Sequence, residues 1–139
     1  MAEPLVDPPS IGELLAEVRA ALPPRPGPGD VAALVERRAL LVDIRPVENR
    51  AADGALPGAL VIDRNVLEWR LDPASPHRIA QAIDHDREIV VVCNDGYASS
   101  LAAETLQRLG LHRATDLDGG YRGWRRWRDG HPEVNEAAR

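Results

Sequence analysis

The chain of 139 residues carries 17 basic and 22 acidic side chains, for a formal charge of −5, and every basic residue is arginine. A chain of this length buries roughly 68–70% of the surface its unfolded form exposes, enough for one domain with a proper core. The acidic balance argues against a nucleic-acid surface, no stretch approaches the roughly 18 apolar residues of a membrane span, and one cysteine provides neither an internal disulfide nor a thiolate cluster for zinc.

The opening MAEPLVDPPS has neither a basic n-region nor an apolar h-region, so it does not read as a signal peptide and a cytoplasmic protein is expected. The absence of Lys and Phe, with abundant Ala, suggests a GC-rich bacterial genome.

SIGELLAEVRAAL, from Ser10 to Leu22, predicts an amphipathic helix. Ser10 and Glu13 form a capping box, and Leu14, Leu15, Val18 and Leu22 supply the apolar stripe. PPRPGPG then reads as a stiff linker, so residues 1–29 are expected to be a helical appendage and linker. Asp30 is expected to cap a second helix, VAALVERR.

From Ala39 onward, short apolar runs alternate with helical patterns. LLVDI, ALVID and EIVVV predict buried strands, with RATDL a weaker fourth. SPHRIAQAID predicts a helix with Ser75 as cap and Pro76 at its first position. SLAAETLQRLG predicts another, with Leu101, Thr105, Leu106 and Leu109 on one face and Gly110 at its stop. GGYRGWRRW closes as a short helix. Strands alternating with helices, without hairpin turns, imply an α/β fold on a parallel sheet. The main domain is expected over 30–130, with 131–139 a tail.

Ligands of such sheets bind beyond the carboxyl ends of the strands. Asp43 and Arg45, Asp63 and Arg64, and Cys93 all fall there. On position alone, Cys93 reads as a small apolar residue closing a strand. The following run, Asn94, Asp95, Gly96, Tyr97, Ala98 and Ser99, pulls the other way. A free thiol titrates at about 8.5, and a tight loop with inward N–H groups leading into a helix favours its anion. Gly96 permits an unusual backbone angle, and Ser99 or Ser100 is placed to cap the helix.

Over about Asp30 to Trp127 the sequence resembles the single-domain rhodanese-like sulfurtransferases. LVDIRP resembles that family's first strand with its Asp-x-Arg ending, and GALPGALVID its Gly-rich lead into the second strand. IVVVCNDGYASS resembles the strand and six-residue loop that carry the catalytic cysteine, and LDGGYRGW the Gly-Gly-x-x-x-Trp close. The resemblance implies a central parallel sheet flanked by helices on both faces. It implies a double displacement in which Cys93 takes sulfane sulfur from thiosulfate, mercaptopyruvate or a persulfide and passes it to cyanide, a thiol or a protein acceptor. The amides of Asn94 to Ser99 would hold the anionic sulfur, with no metal or organic cofactor. Ala98 stands where the family often carries a hydroxyl, and Ala55 where it often has His. Asp95 makes the loop acidic, which disfavours dianionic thiosulfate unless Arg50 or Arg64 reaches the pocket.

Arg50 and Arg64 are candidates for binding an anionic substrate, against a solvated or ion-paired role, and Arg45 reads as a structural tie to Asp43. A phosphatase loop needs Arg where Ser99 stands, a Cys–His hydrolase needs a placed His, and Asp84-His85-Asp86 lacks further metal ligands at helical spacing. Tyr121 and Trp124, three apart, suit a core face, with Arg122, Arg125, Arg126 and Arg128 as rim rather than an RNA platform. The competing class is a rhodanese-fold binding or regulatory module with little catalysis.

Overall fold

The computed structural model describes residues 3–4 and 6–132, so most of the expected tail lies outside the described residues. Helix α1 spans Ile11–Ala21, α2 Val31–Glu36, β1 Leu40–Asp43, α3 Val47–Asp53 and β2 Leu60–Val61. Then follow α4 Leu67–Leu71, β3 Ile89–Val92, α5 Ala98–Arg108, β4 Ala114–Asp116 and α6 Gly120–Asp129. The strands form a parallel sheet in the order β2-β1-β3-β4.

Period-two alternation along the central strands sends residues to two cores. Leu40, Val42, Ile89, Val91 and Cys93 face α4 and α5, where Leu67, Leu71, Ala102 and Leu106 meet them. Leu41, Val90 and Val92 face α2 and α6, against Val31, Leu34, Tyr121 and Trp124. Helices therefore flank the sheet on both faces, as expected. The core positions of Tyr121 and Trp124 are as read from their spacing.

The capping box at Ser10 and Glu13 forms in both directions. Helix α1 lies on α5, burying Val18. This placement explains which face of α5 is buried. Covered by the sheet on one side and α1 on the other, α5 buries Ser99, Ser100, Ala102, Ala103 and Leu106. Leu101, Thr105 and Leu109 are only partly covered, because the small residues are what let neighbouring backbones come close.

Other expectations are corrected. The segment 75–84 is a chain of turns and not a helix. Ser75 Oγ accepts from the His77 amide at 3.1 Å, a two-residue turn in place of a helical cap. The Ile79 amide bonds to the Arg70 carbonyl at 2.8 Å, and Arg70 Nη1 reaches the His77 carbonyl, also at 2.8 Å. These ties to α4 hold the segment outside a helix, and Ile83 faces solvent.

Strand β2 is not buried. It is a two-residue edge strand with Val61 51% exposed. Asp30 does not cap α2; its Oδ2 accepts from the Gly27 amide at 2.8 Å, closing a single 3₁₀ turn ahead of that helix. Among the described residues no group of three or more His, Cys, Asp or Glu is gathered to hold a metal. No described helix is long and apolar enough to cross a membrane.

Candidate active site

Parallel register brings the ends of β1, β3 and β4 level, with Asp43 opposite Val92 and Val91 opposite Asp116. The chain leaving β3 therefore emerges between Asp43 and Asp116, and the first residue out is Cys93. It is 8% exposed and lines a cavity of about 350 Å³ together with Ile44, Arg45, Pro46, Arg64 and the loop.

The loop wraps around the sulfur. Cys93 Sγ accepts from the amides of Gly96 at 3.2 Å and Ser99 at 3.3 Å, and Ser99 Oγ lies 3.2 Å away. Amides of Asn94, Asp95, Tyr97 and Ala98 have no acceptor among the described residues. A loop with two inward N–H bonds and further unclaimed amides makes a concavity for an anion.

Two glycines make this wrapping possible. Gly96 has φ +84° and packs against the backbone of Gly119 and Gly120. Gly120 has φ +62°, and a Cβ there would lie 2.6 Å from the Cys93 carbonyl oxygen and 2.7 Å from both the Asn94 oxygen and the Gly96 nitrogen. The α6 N-terminus can thus lie flush on the loop, where the amides of Tyr121 and Arg122 bond the carbonyls of Cys93 and Asn94 at 2.8 and 3.0 Å. The Gly-Gly pair of LDGGYRGW is there so that two backbones can touch.

Beneath the loop is a buried polar cluster. Helix α5 starts at Ala98 after Tyr97, so neither serine caps it. Ser99 and Ser100 instead turn inward and donate to Asp116 Oδ2 at 2.7 and 2.8 Å. Asp116 is fully buried and receives Arg25 Nε at 2.8 Å and Nη2 at 3.1 Å. Burial works against the charge of Arg25, yet the hydrogen bond and charge of Asp116, with smaller help from Asp118 and Cys93, hold its pKa above the ordinary arginine value. Ser99 gives its one proton to the carboxylate and accepts from the thiol, so Cys93, Ser99, Asp116 and Arg25 form one chain of bonds.

Arg45 is the structural tie that its sequence position implied. It holds Asp43 through Nε at 3.1 Å and Nη2 at 2.7 Å, donates to the Gly54 carbonyl at 2.9 Å, and stacks 3.8 Å over the Tyr121 ring. Arg64 lines the cavity and pairs with Glu68 at 2.9 Å. Arg50 is not among the lining residues; its Nε faces the Arg45 carbonyl at 3.4 Å. The acidity of the loop is offset in a way the sequence did not reveal, since Arg122 of α6 pairs with Asp95 at 3.0 Å.

Asp116, Arg25 and Arg19 were also missed. A carboxylate closing a strand of the parallel sheet, between Thr115 and Leu117, was the available signal, because such a position is buried and an acid there demands partners.

A parallel α/β sheet with a cysteine loop between strand and helix, closed by a Gly-Gly helix start, defines the class. The chain belongs to the rhodanese-like domain family, whose model matches residues 27–126. It is 33% identical over 99 residues to the thiosulfate sulfurtransferase GlpE of Pseudomonas fluorescens, covering 70% of this chain and 81% of that one. Its fold is similar to the human single-domain sulfurtransferase, with TM-score 0.63 and 31% identity over 75% of this chain and 96% of that one. It is also similar to a Rhodopseudomonas palustris protein of unknown function described as a possible tyrosine phosphatase, with TM-score 0.75 and 29% identity over 91% of this chain and 96% of that one.

Proposed function

We propose that this protein is a sulfurtransferase that carries sulfane sulfur as a persulfide on Cys93. The observation that supports the reading most directly is Sγ at the cavity wall, held by the Gly96 and Ser99 amides beside the Ser99 hydroxyl. The Cys93 thiolate attacks the outer sulfur of the donor. The donor's sulfur–sulfur or carbon–sulfur bond breaks, its electron pair leaves with sulfite, pyruvate enolate or thiolate, and Cys93 keeps the sulfur. The acceptor, cyanide or a thiolate of a small molecule or protein, then attacks that sulfur and releases the Cys93 thiolate.

The Gly96 and Ser99 amides donate to Sγ and stabilise its charge in both steps, and in this reading the unclaimed amides of the loop receive the outer sulfur. Arg64 at the cavity is the cation that meets an anionic donor. The lone thiol suits a cytoplasmic setting, with small sulfur compounds as partners and neither nucleic acid nor membrane involved.

A phosphatase reading, suggested by the R. palustris neighbour, lacks the arginine that such loops place where Ser99 stands. A binding module with little catalysis has one observation in its favour: Ala98 presents a methyl to the cavity where a hydroxyl would assist the sulfur.

Intact mass after exposure to thiosulfate or 3-mercaptopyruvate, with C93S as control, decides between them. The expected result is a cyanide-removable gain of one sulfur atom, absent in C93S. No gain from either donor, with Cys93 still open to alkylation, would leave the binding module.

A further inference from the structure

The segment before residue 27 lies outside the family match, yet two of its arginines grip the sulfur loop. Arg19 of α1 donates Nη2 to the Gly96 carbonyl at 2.6 Å and Nε to Ser100 Oγ at 3.1 Å. Arg25 donates Nη2 to the same carbonyl at 3.2 Å while holding Asp116 with two nitrogens. We propose that Arg19 and Arg25 are positioning residues that lock the Gly96–Tyr97 peptide, so that the loop presents N–H groups and not a carbonyl to the sulfur on Cys93.

In a trans peptide the C=O and the following N–H point in opposite directions. Fixing the Gly96 oxygen on the side of α1 therefore turns the Tyr97 N–H away from it. Tyr97 lines the cavity and neither arginine does. Glycine is the residue whose peptide rotates most freely, and Gly96 already has φ +84°. Rotation of this peptide would turn a carbonyl dipole toward an anionic sulfur. Two charge-assisted bonds to one oxygen oppose that rotation. Arg19 adds a contact 5.8 Å over the Tyr97 ring, so both halves of the peptide are held.

Arg25 acts on the sulfur by a second route. Through Asp116 it fixes Ser99 and Ser100, and the Ser99 amide and hydroxyl both face Sγ. The R. palustris structure matches over 91% of this chain, a span that cannot leave out all of residues 1–29. The segment is therefore part of a shared architecture and not a detachable arm.

The test is the rate of Cys93 alkylation by iodoacetamide from about pH 5 to 9, for wild type, R19M, R25M and R25K, with circular dichroism as the check of fold. The charged groups around the thiol are Arg19 and Arg25 from the N-terminal segment, Asp95 on the loop and Asp116 on β4. Asp118 beside Arg25, Arg122 on α6, Arg45 with Asp43 at the end of β1, and Arg64 with Glu68 after β2 complete the set. Only the first two change in these variants. R19M and R25M are expected to react about three- to tenfold more slowly at neutral pH, with the midpoint of the pH profile moved upward. R25K keeps the charge but not the forked geometry and is expected to fall between wild type and R25M.

A folded R19M with wild-type rate and midpoint would overturn the proposal, and R19M with R25K carries the test if R25M does not fold. The inference takes Cys93 as a nucleophile but not the identity of the sulfur donor. A wild-type protein that alkylates yet accepts no sulfur would sink the sulfurtransferase reading and leave this one standing.

Discussion

Replacing Gly120 by alanine probes the contact on which the sulfur loop depends. The left-handed backbone at φ +62° costs an L-residue about 1–2 kcal/mol. The new Cβ would also meet three backbone atoms at 2.6, 2.7 and 2.7 Å, well inside the ordinary contact range of about 3.5–4.0 Å. Backbone cannot swing aside as a side chain does, so the loop or the start of α6 must shift, an overpacking cost of about 1–3 kcal/mol. The two contributions together predict a loss of about 2–5 kcal/mol in urea unfolding. Because the clashing atoms belong to Cys93, Asn94 and Gly96, slower alkylation of Cys93 should accompany the loss. G12A is the control: Gly12 lies in α1, where a Cβ would meet Ser10 Oγ at an ordinary 3.8 Å, and alanine there is expected to be neutral or stabilising by up to about 1 kcal/mol. A G120A protein within about 1 kcal/mol of wild type, with unchanged alkylation, would refute the claim that two backbones meet at this residue.

R122Q leaves Asp95 without its cation at the cavity mouth. The pair is half-exposed on both sides, so stability should change by less than about 0.5 kcal/mol, while KM for an anionic donor such as thiosulfate should rise more than kcat falls; an unchanged KM would remove Arg122 from the charge balance of the site. Glu88, beyond the opposite ends of the strands, is held below the ordinary glutamate pKa first by hydrogen bonds from Arg37, with burial opposing and the charges of Arg37, Arg113 and Arg87 adding. A carboxylate with a depressed folded pKa stabilises fully above its unfolded value of about 4.3 and loses that contribution as pH falls through the folded value. The Tm difference between wild type and E88Q should therefore be largest above about pH 5 and shrink toward pH 3, and a constant difference would contradict the ion pair.

The strands around the site were legible because their apolar runs are short and bounded by turn residues, and because parallel sheets bury both faces. Cys93, its loop and the Gly-Gly close stand within local motifs, so their place at the carboxyl end of the sheet followed from strand order alone. The helix expected over 75–84 failed because His77 and Ile79 are tethered to Arg70 of α4, the first accepting from its side chain and the second donating to its carbonyl, ties that no periodicity encodes. Strand β2 was misjudged as buried because an edge position is a property of the sheet and not of the segment.

Local motifs carried the parts of the candidate site: one cysteine, a glycine-bearing loop ahead of a helix, and the strand–helix alternation that brings them to one end of a sheet. Tertiary structure alone decided the environment of that cysteine. Arg19 and Arg25 meet Gly96 across 77 and 71 residues, Arg25 meets Asp116 across 91, and Arg122 meets Asp95 across 27. Charge pairing at such separations depends on how helices dock on the sheet, and spacing along the chain holds no record of it.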